Sequence, residues 1–390
     1  MKKTFHLTIA LLALVLVFAS CGGGNKNDEA PPTGPPSVFV AGYNHNDAVI
    51  WRNGKAALLP HDGDRAEAVS VFVADNGVEY AAGYEAYDYE DGTYNATPLL
   101  WRNGVSQTLN LTLVGYDEAY QTGYGEAHSV FVSGNNVYVA GEEWGYQWIW
   151  GYWFDVPRVW INGQVSPLEN MDYDGTAQSV YVRNNVVYAA GYLWDNYRYY
   201  PALWKNGKLE FLTPLSGASE SYARIVCVSE SGNVFVAGNS LIDGVVVATL
   251  WENGAPRRLS YAAAPGSSAT SVFVYGSDVY VSGQENYQEN YVATMWKGGL
   301  NRDYTADYWT TGNAALISVY VYNGLVYAAG VDNARPAYQW RPACWIDKEP
   351  QTLNSAENGY AISIFVSGVS SPSTPVTGAG LNKTTPTFRQ

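Results

Sequence analysis

The chain reads as an all-β fold, a seven-bladed β-propeller of four-stranded blades. Three observations predict it: a Trp-centred hairpin that recurs seven times, a Ser-Val-aromatic-Val hairpin that precedes the last six, and termini that each hold part of one blade.

The Trp hairpin comes first. Trp51, Trp101, Trp160, Trp204, Trp251, Trp296 and Trp345 each close a short apolar run. Asn-Gly follows two residues later at Asn53, Asn103, Asn162, Asn206 and Asn253, while Gly298-Gly299 and Asp347-Lys348 take that place in the last two units. Eight residues after each Trp stands Leu59, Leu109, Leu168, Leu212, Leu259, Tyr304 or Leu353. Asn-Gly supplies the positive φ angles of a type I′ turn, so each unit is a β-hairpin, strands C and D. One Trp per blade at fixed spacing is expected to pack between blades.

The second hairpin supplies strands A and B. Ser70-Val71-Phe72-Val73 leads to Gly83, and equivalent runs lead to Gly141, Gly191, Gly238, Gly283 and Gly330, each after 12 or 13 residues. The run from Val38 to Gly42 matches a B strand, and the missing A strand appears at the far end as Ser363-Ile364-Phe365-Val366. N-terminal strands B-C-D pairing with a C-terminal strand A would close the ring and remove its open edges. The propeller is expected over residues 37–368, with 369–390 as a tail. A transmembrane barrel needs strands of about ten residues with strict alternation. These runs are read as four to six residues and nearly all apolar, which suits sheets buried on both faces.

Residues 1–20 read as a lipoprotein signal peptide: Lys2 and Lys3, an apolar stretch, then Phe18-Ala19-Ser20 before Cys21. This resembles a bacterial lipobox, with Phe18 where Leu is usual, and implies lipidation of Cys21. Residues 21–36 are a Gly-, Asn- and Pro-rich tether. Gly22, rather than Asp, follows the Cys, which favours the outer membrane; the side faced stays open. The Trp-x-Asn-Gly unit with its following Leu resembles HAF-type repeats of bacterial extracellular proteins. The whole looks like propeller lipoproteins of the Bacteroidota. The resemblance implies an envelope location and a binding scaffold, and carries no catalytic residue.

Formal charge is −14, or −16 without Lys2 and Lys3, which argues against nucleic acid as a partner. Three Cys and four His leave no disulfide framework and little for a metal, and no cofactor is expected. Cys227 and Cys344 are expected as buried thiols in different blades. A calcium ion near Asp88, Glu90 and Asp91 is a weak option, since the spacing is not that of an EF-hand.

The function is sought on the face where the connections vary in length. From the B-strand Gly to the Trp the intervals run from 9 to 19 residues, whereas the A-B and C-D turns are tight. The long stretches are aromatic and acidic, and 32 Tyr and 14 Trp exceed what a core needs. Candidate ligand-binding residues are Tyr87, Tyr89, Trp144, Trp148, Trp150, Tyr152, Trp153, Trp194, Tyr197, Tyr199, Tyr287 and Tyr291. Mutual packing of these aromatics is the competing explanation. His128, Gln178 and Arg224 follow the small residue of three inner strands and are expected at the channel mouth. Aromatic planes beside carboxylates suit a sugar ring. The reading is a lipid-anchored, non-catalytic propeller that binds a glycan or other polymer. The alternatives are a carboxylate-dependent glycoside hydrolase or lyase, and a scaffold for a protein partner.

Overall fold

The computed structural model describes residues 35–89, 94–112, 124–147, 152–169, 173–195, 197–260, 266–287, 290–300, 302–310, 312–333, 340–354 and 359–368. The leader, Cys21, the tether and the tail beyond 368 lie outside them.

Local chemistry builds the hairpins. Asn53, Asn103, Asn162, Asn206 and Asn253 adopt φ near +50°, followed by a positive-φ Gly. Asn is suited to this because it tolerates the left-handed region and brings an acceptor. The Asn206 side-chain oxygen takes the N–H of Val187 at 2.8 Å, tying the C-D turn to the start of strand B. Asp347 does the same for Val326 in the last blade.

Strands β1 (Ser37–Asn44), β2 (Asp47–Arg52) and β3 (Lys55–Leu58) begin the first blade. The second holds β4 (Arg65–Val73), β5 (Glu79–Asp88), β6 (Tyr94–Arg102) and β7 (Val105–Thr108). The third holds β8 (Tyr124–Ser133), β9 (Asn136–Gln147), β10 (Tyr152–Ile161) and β11 (Gln164–Ser166). The fourth holds β12 (Asp174–Arg183), β13 (Val186–Trp194), β14 (Tyr199–Lys205) and β15 (Lys208–Phe211). The fifth holds β16 (Ala218–Val228), β17 (Val234–Ile242), β18 (Val245–Glu252) and β19 (Ala255–Arg258). The sixth holds β20 (Ser267–Tyr275), β21 (Asp278–Tyr287), β22 (Asn290–Gly299) and β23 (Arg302–Tyr308). The seventh holds β24 (Ala314–Tyr322), β25 (Leu325–Asp332), β26 (Arg341–Ile346) and β27 (Glu349–Gln351).

The last strand, β28 (Gly359–Ser367), returns to the first blade and pairs antiparallel with β1, with Val40 opposite Ile364. Seven four-stranded sheets result, in a closed ring. The clasp of N-terminal and C-terminal strands is as the sequence predicts, and the described residues contain no helix.

Blades hold each other through the repeat itself. The six Trp from Trp51 to Trp296 are at most 1% exposed and Trp345 is 4%. Trp101 donates its indole N–H to the Pro60 carbonyl and Trp160 to the Asn110 carbonyl, both at 2.7 Å. Trp51, Trp204 and Trp251 repeat the bond on Asn354, Glu169 and Thr213. Each acceptor is the residue just after a strand-D Leu of the preceding blade. The N–H groups of Asn110, Glu169, Thr213 and Asn354 donate in turn to the carbonyls of the turn glycines 163, 207, 254 and 54.

The inner strands carry a second set of links. The Ser129 hydroxyl accepts the N–H of Val180, Ser179 that of Val226, Ser70 that of Val130, and Ser363 that of Val71. Phe365, Phe72, Phe131 and Tyr181 then touch ring to ring at 4.7–5.0 Å, as do Phe273, Tyr320 and Phe365 at 4.6–4.9 Å. Ile225 and Cys227 take the Ser and aromatic places in the fifth blade. Cys227 and Cys344 are buried and are not joined in a disulfide.

The strands are longer than the sequence suggests. Strand β9 runs 12 residues and β10 runs 10, so much of the third blade's aromatic stretch is a hairpin arm rather than a loop. Pairing continues past the B-strand Gly, with Glu142 opposite Glu126 in β8 and Pro157 in β10, and Glu143 opposite Gly125 and Val156.

Candidate functional site

A β-bulge positions the mouth. In all seven blades the strand-A register slips by one residue just after the position of the recurring Ala (Leu316 in the seventh), as between Ala127 and Ser129. A bulge adds an unpaired residue and re-aims its neighbours. Here it presses a strand-A carbonyl onto the B-strand Gly. A Cβ at Gly141 would lie 2.0 Å from the Glu126 oxygen, and one at Gly83 would lie 1.9 Å from that of Glu67. The recurring Gly is therefore a demand of the bulge.

Just beyond it, one cross-strand pair per blade lies at the same register. The seven pairs are Tyr360–Tyr43, Glu67–Tyr84, Glu126–Glu142, Thr176–Tyr192, Tyr222–Asn239, Ser268–Gln284 and Ala315–Val331. Blades one to five carry tyrosines, carboxyls, a hydroxyl and an amide, while the seventh carries only small apolar groups. Ser268 and Gln284 of the sixth are polar too, but the arc of tyrosines and carboxyls is centred on the third blade.

There, His128 Nε2 lies 2.5 Å from Glu142 Oε2, with both side chains close to nine-tenths buried. Thr176 Oγ1 donates to the same oxygen, and Gln178 Nε2 donates to Thr176 Oγ1 at 3.1 Å. Glu126 Oε1 accepts the Tyr94 hydroxyl at 3.0 Å. Burial raises Glu126 to about 7, with Glu142 adding to the rise and His128 opposing it. Burial would depress His128, yet its charge and hydrogen bond with Glu142, joined by Glu126 and Asp155, raise it to about 9. Asp155 rises to about 6 through burial, then through Glu142 and Asp174. Burial and Glu142 take Tyr192 up to about 12, with Arg224 pulling the other way.

One atom each from Glu126, His128 and Glu142 falls within a 4.8 Å cluster, the reach of a bound cation. The same groups are joined to one another, with His128 Nε2 turned to Glu142 Oε2. The geometry is that of a proton-sharing network. Its neighbour in the second blade is Glu67, raised by burial and bonded by the Tyr84 hydroxyl. Arg65 sits 3.6 Å from Glu67 and 4.5 Å above the Tyr94 ring.

The sequence-derived candidates fall into four groups. His128 and Gln178 meet through Glu142 and Thr176, whereas Arg224 is exposed on the neighbouring inner strand. Trp144 packs edge-on against Tyr94 at 5.6 Å, and Trp194 and Tyr199 stack at 6.2 Å beside Tyr192 and Tyr222. Tyr87, Tyr89, Tyr197 and Tyr291 are exposed, Tyr197 at 89%. Trp148 and Trp150 lie outside the described residues, as do Glu90 and Asp91 of the calcium reading, and nothing is described of the side chains of Tyr152, Trp153 and Tyr287. The Asp88 carboxylate is held by Arg65 at 3.1 Å.

Sequence reasoning passed over Glu126 and Glu67, and counted Glu142, Tyr84 and Tyr192 only among the acids and aromatics of the long connections. The signal was present: they flank the recurring Ala on one strand and the recurring Gly on the other.

No family model matches the chain, and no curated protein matches it. Solved structures with a similar outline include a Trypanosoma rangeli sialidase in complex with sialic acid, 13% identical with a TM-score of 0.44. That match covers 87% of this chain and 60% of the sialidase chain, so this protein spans about 60% of that length. YjhT is similar at 10% identity and a TM-score of 0.39, covering 79% of this chain and 99% of its own. A hypothetical protein from Leishmania major is 14% identical at a TM-score of 0.30, covering 60% and 82%. At these values no residue role passes to this chain.

Proposed function

We propose that this protein is a lipid-anchored envelope propeller that binds a glycan at the mouth formed by its first five blades. The observation that carries the reading is the asymmetry of the seven register-matched pairs. Tyrosines and carboxyls are confined to blades one to five, Ser268 and Gln284 of the sixth add a hydroxyl and an amide, and Ala315 with Val331 fill the seventh. Tyr faces stack on the C–H surface of a sugar, while hydroxyls and carboxyls bond its ring oxygens and hydroxyls. Exposed Tyr87, Tyr89 and Tyr197 on the outlying hairpins extend the surface for a chain of several sugars. The surplus of carboxylates favours a neutral polymer over an anionic one. Cys21 and the tether would hold this face at the outer membrane.

Electrophoresis of the full chain through gels cast with neutral and anionic polysaccharides tests this. Retardation by a neutral polymer is expected, with loss in Tyr197→Ala and Tyr222→Ala variants that keep the wild-type melting temperature. Tyr222→Phe, which removes only the hydroxyl, guards against misfolding of the larger truncation. Absence of retardation on every polymer rejects the reading.

A further inference from the structure

We infer that the mouth also cleaves the glycan it holds, with Glu126 as general acid and base and Glu142 as nucleophile of a retaining glycoside hydrolysis. This rests on the reading that a glycan occupies the mouth. Among the seven register-matched pairs, only the third blade sets two carboxyls opposite each other, Glu126 on β8 and Glu142 on β9. One oxygen of each lies within the 4.8 Å cluster they share with His128. Retaining enzymes hold their carboxyls about 5–5.5 Å apart, whereas inverting ones leave room for a water at about 6.5–9.5 Å.

The two carboxyls differ in their partners, and the difference assigns the roles. Glu142 receives the His128 ring N–H and the Thr176 hydroxyl on Oε2, two donors that fix the carboxyl in place. Both engage Oε2, so Oε1, which no described residue is shown to hydrogen-bond, is the atom to attack carbon. Among the described residues Glu126 accepts the Tyr94 hydroxyl alone, and burial holds its proton to near neutrality. A carboxylate held by two donors beside a buried carboxyl that keeps its proton divides the roles of nucleophile and acid. His128 and Thr176 are positioning residues.

The steps balance. The Glu126 proton passes to the glycosidic oxygen as the C1–O bond breaks, and Glu142 Oε1 forms an ester to C1. The Glu126 carboxylate then takes a proton from water, whose oxygen displaces Glu142 from C1. Glu126 is protonated again, and one water is consumed per bond cleaved.

The test incubates the full chain with each polysaccharide that retards it and assays new reducing ends. It also follows 4-nitrophenyl and 2,4-dinitrophenyl glycosides of the same sugar. Cleavage by the wild type is expected. Glu142→Gln should lose about 10²–10⁴-fold on every substrate while retaining retardation. Glu126→Gln should lose a similar factor on polymer but little in the first step on the dinitrophenyl glycoside, whose leaving group needs no proton. Azide should restore its turnover, which a merely structural role would not allow. A polymer that retards the chain without yielding reducing ends overturns this inference and leaves the binding reading intact. Cleavage undiminished in either Gln variant also overturns it. No retardation on any polymer overturns both.

Discussion

The Trp160 indole donates to the Asn110 carbonyl of the preceding blade at 2.7 Å, and the Asn110 N–H donates back to the Gly163 carbonyl at 3.1 Å. One residue thus receives and returns a bond across each blade junction of this kind. Trp296 occupies the same position, but its buried Nε1 has no partner among the described residues. Both Trp are fully buried. Trp→Phe at the two sites removes comparable volume, and only at Trp160 removes a bond. Trp160→Phe should therefore cost about 1 kcal/mol more than Trp296→Phe in chemical denaturation. Equal costs would mean that the interblade bond contributes nothing.

Asn206 serves two purposes, a φ of +49° and an acceptor for Val187 N–H. Asn206→Gly keeps the backbone conformation and loses the acceptor, while Asn206→Ala loses both. The Gly variant should be destabilised by about 1 kcal/mol and the Ala variant by about 2. Denaturation midpoints that rank Ala above Gly would show that turn conformation does not limit stability here.

The fold was legible because these demands recur. A Trp buried between blades and a Gly pressed against a bulged carbonyl appear once per blade, and a turn Asn with φ near +50° appears in five of the seven. The mouth was less legible because its residues do not recur. Glu126, Thr176 and Tyr222 hold one structural position and share no chemistry. Counting aromatics pointed to the hairpin arms, where Trp144 and Tyr199 pack against other rings. The bulge, which puts Glu126 opposite Glu142, has no sequence sign beyond the Ala and Gly it requires.

Closure by β28 gives a prediction about cooperativity. Ile364 and Val366 are buried at 4% and 1%, and Ser363 and Ser318 link this strand to both neighbouring blades. Ile364→Ala should cost about 2–5 kcal/mol. Removal of residues 359–390 exposes the whole edge of β1 and opens the ring. The truncated chain should elute as aggregate in size-exclusion chromatography. A monomer with the full-length melting temperature would show that the clasp is dispensable.

Stability should fall as pH rises, because the network binds protons more tightly folded than unfolded. Asp155 is raised from 3.8 to about 6, Glu126 from 4.5 to about 7, and His128 from 6.5 to about 9. Each group's contribution is fully present below its unfolded value and is lost as pH climbs through its folded value. The loss therefore spreads from about pH 4 to pH 9, the reverse of an ordinary salt-bridged carboxylate. Glu126→Gln removes one of these groups and keeps an acceptor for the Tyr94 hydroxyl. It also deprives His128 of one of the charges that hold its proton. Between pH 4.5 and 7 the variant's stability should decline less steeply than the wild type's. At pH 8, where the wild type bears the cost of a buried carboxylate, Glu126→Gln should be the more stable protein by on the order of 1–3 kcal/mol. Paired urea titrations at pH 5 and pH 8 decide the matter. A variant less stable than the wild type at pH 8 would mean that ionised Glu126 is held by His128 strongly enough to repay its burial.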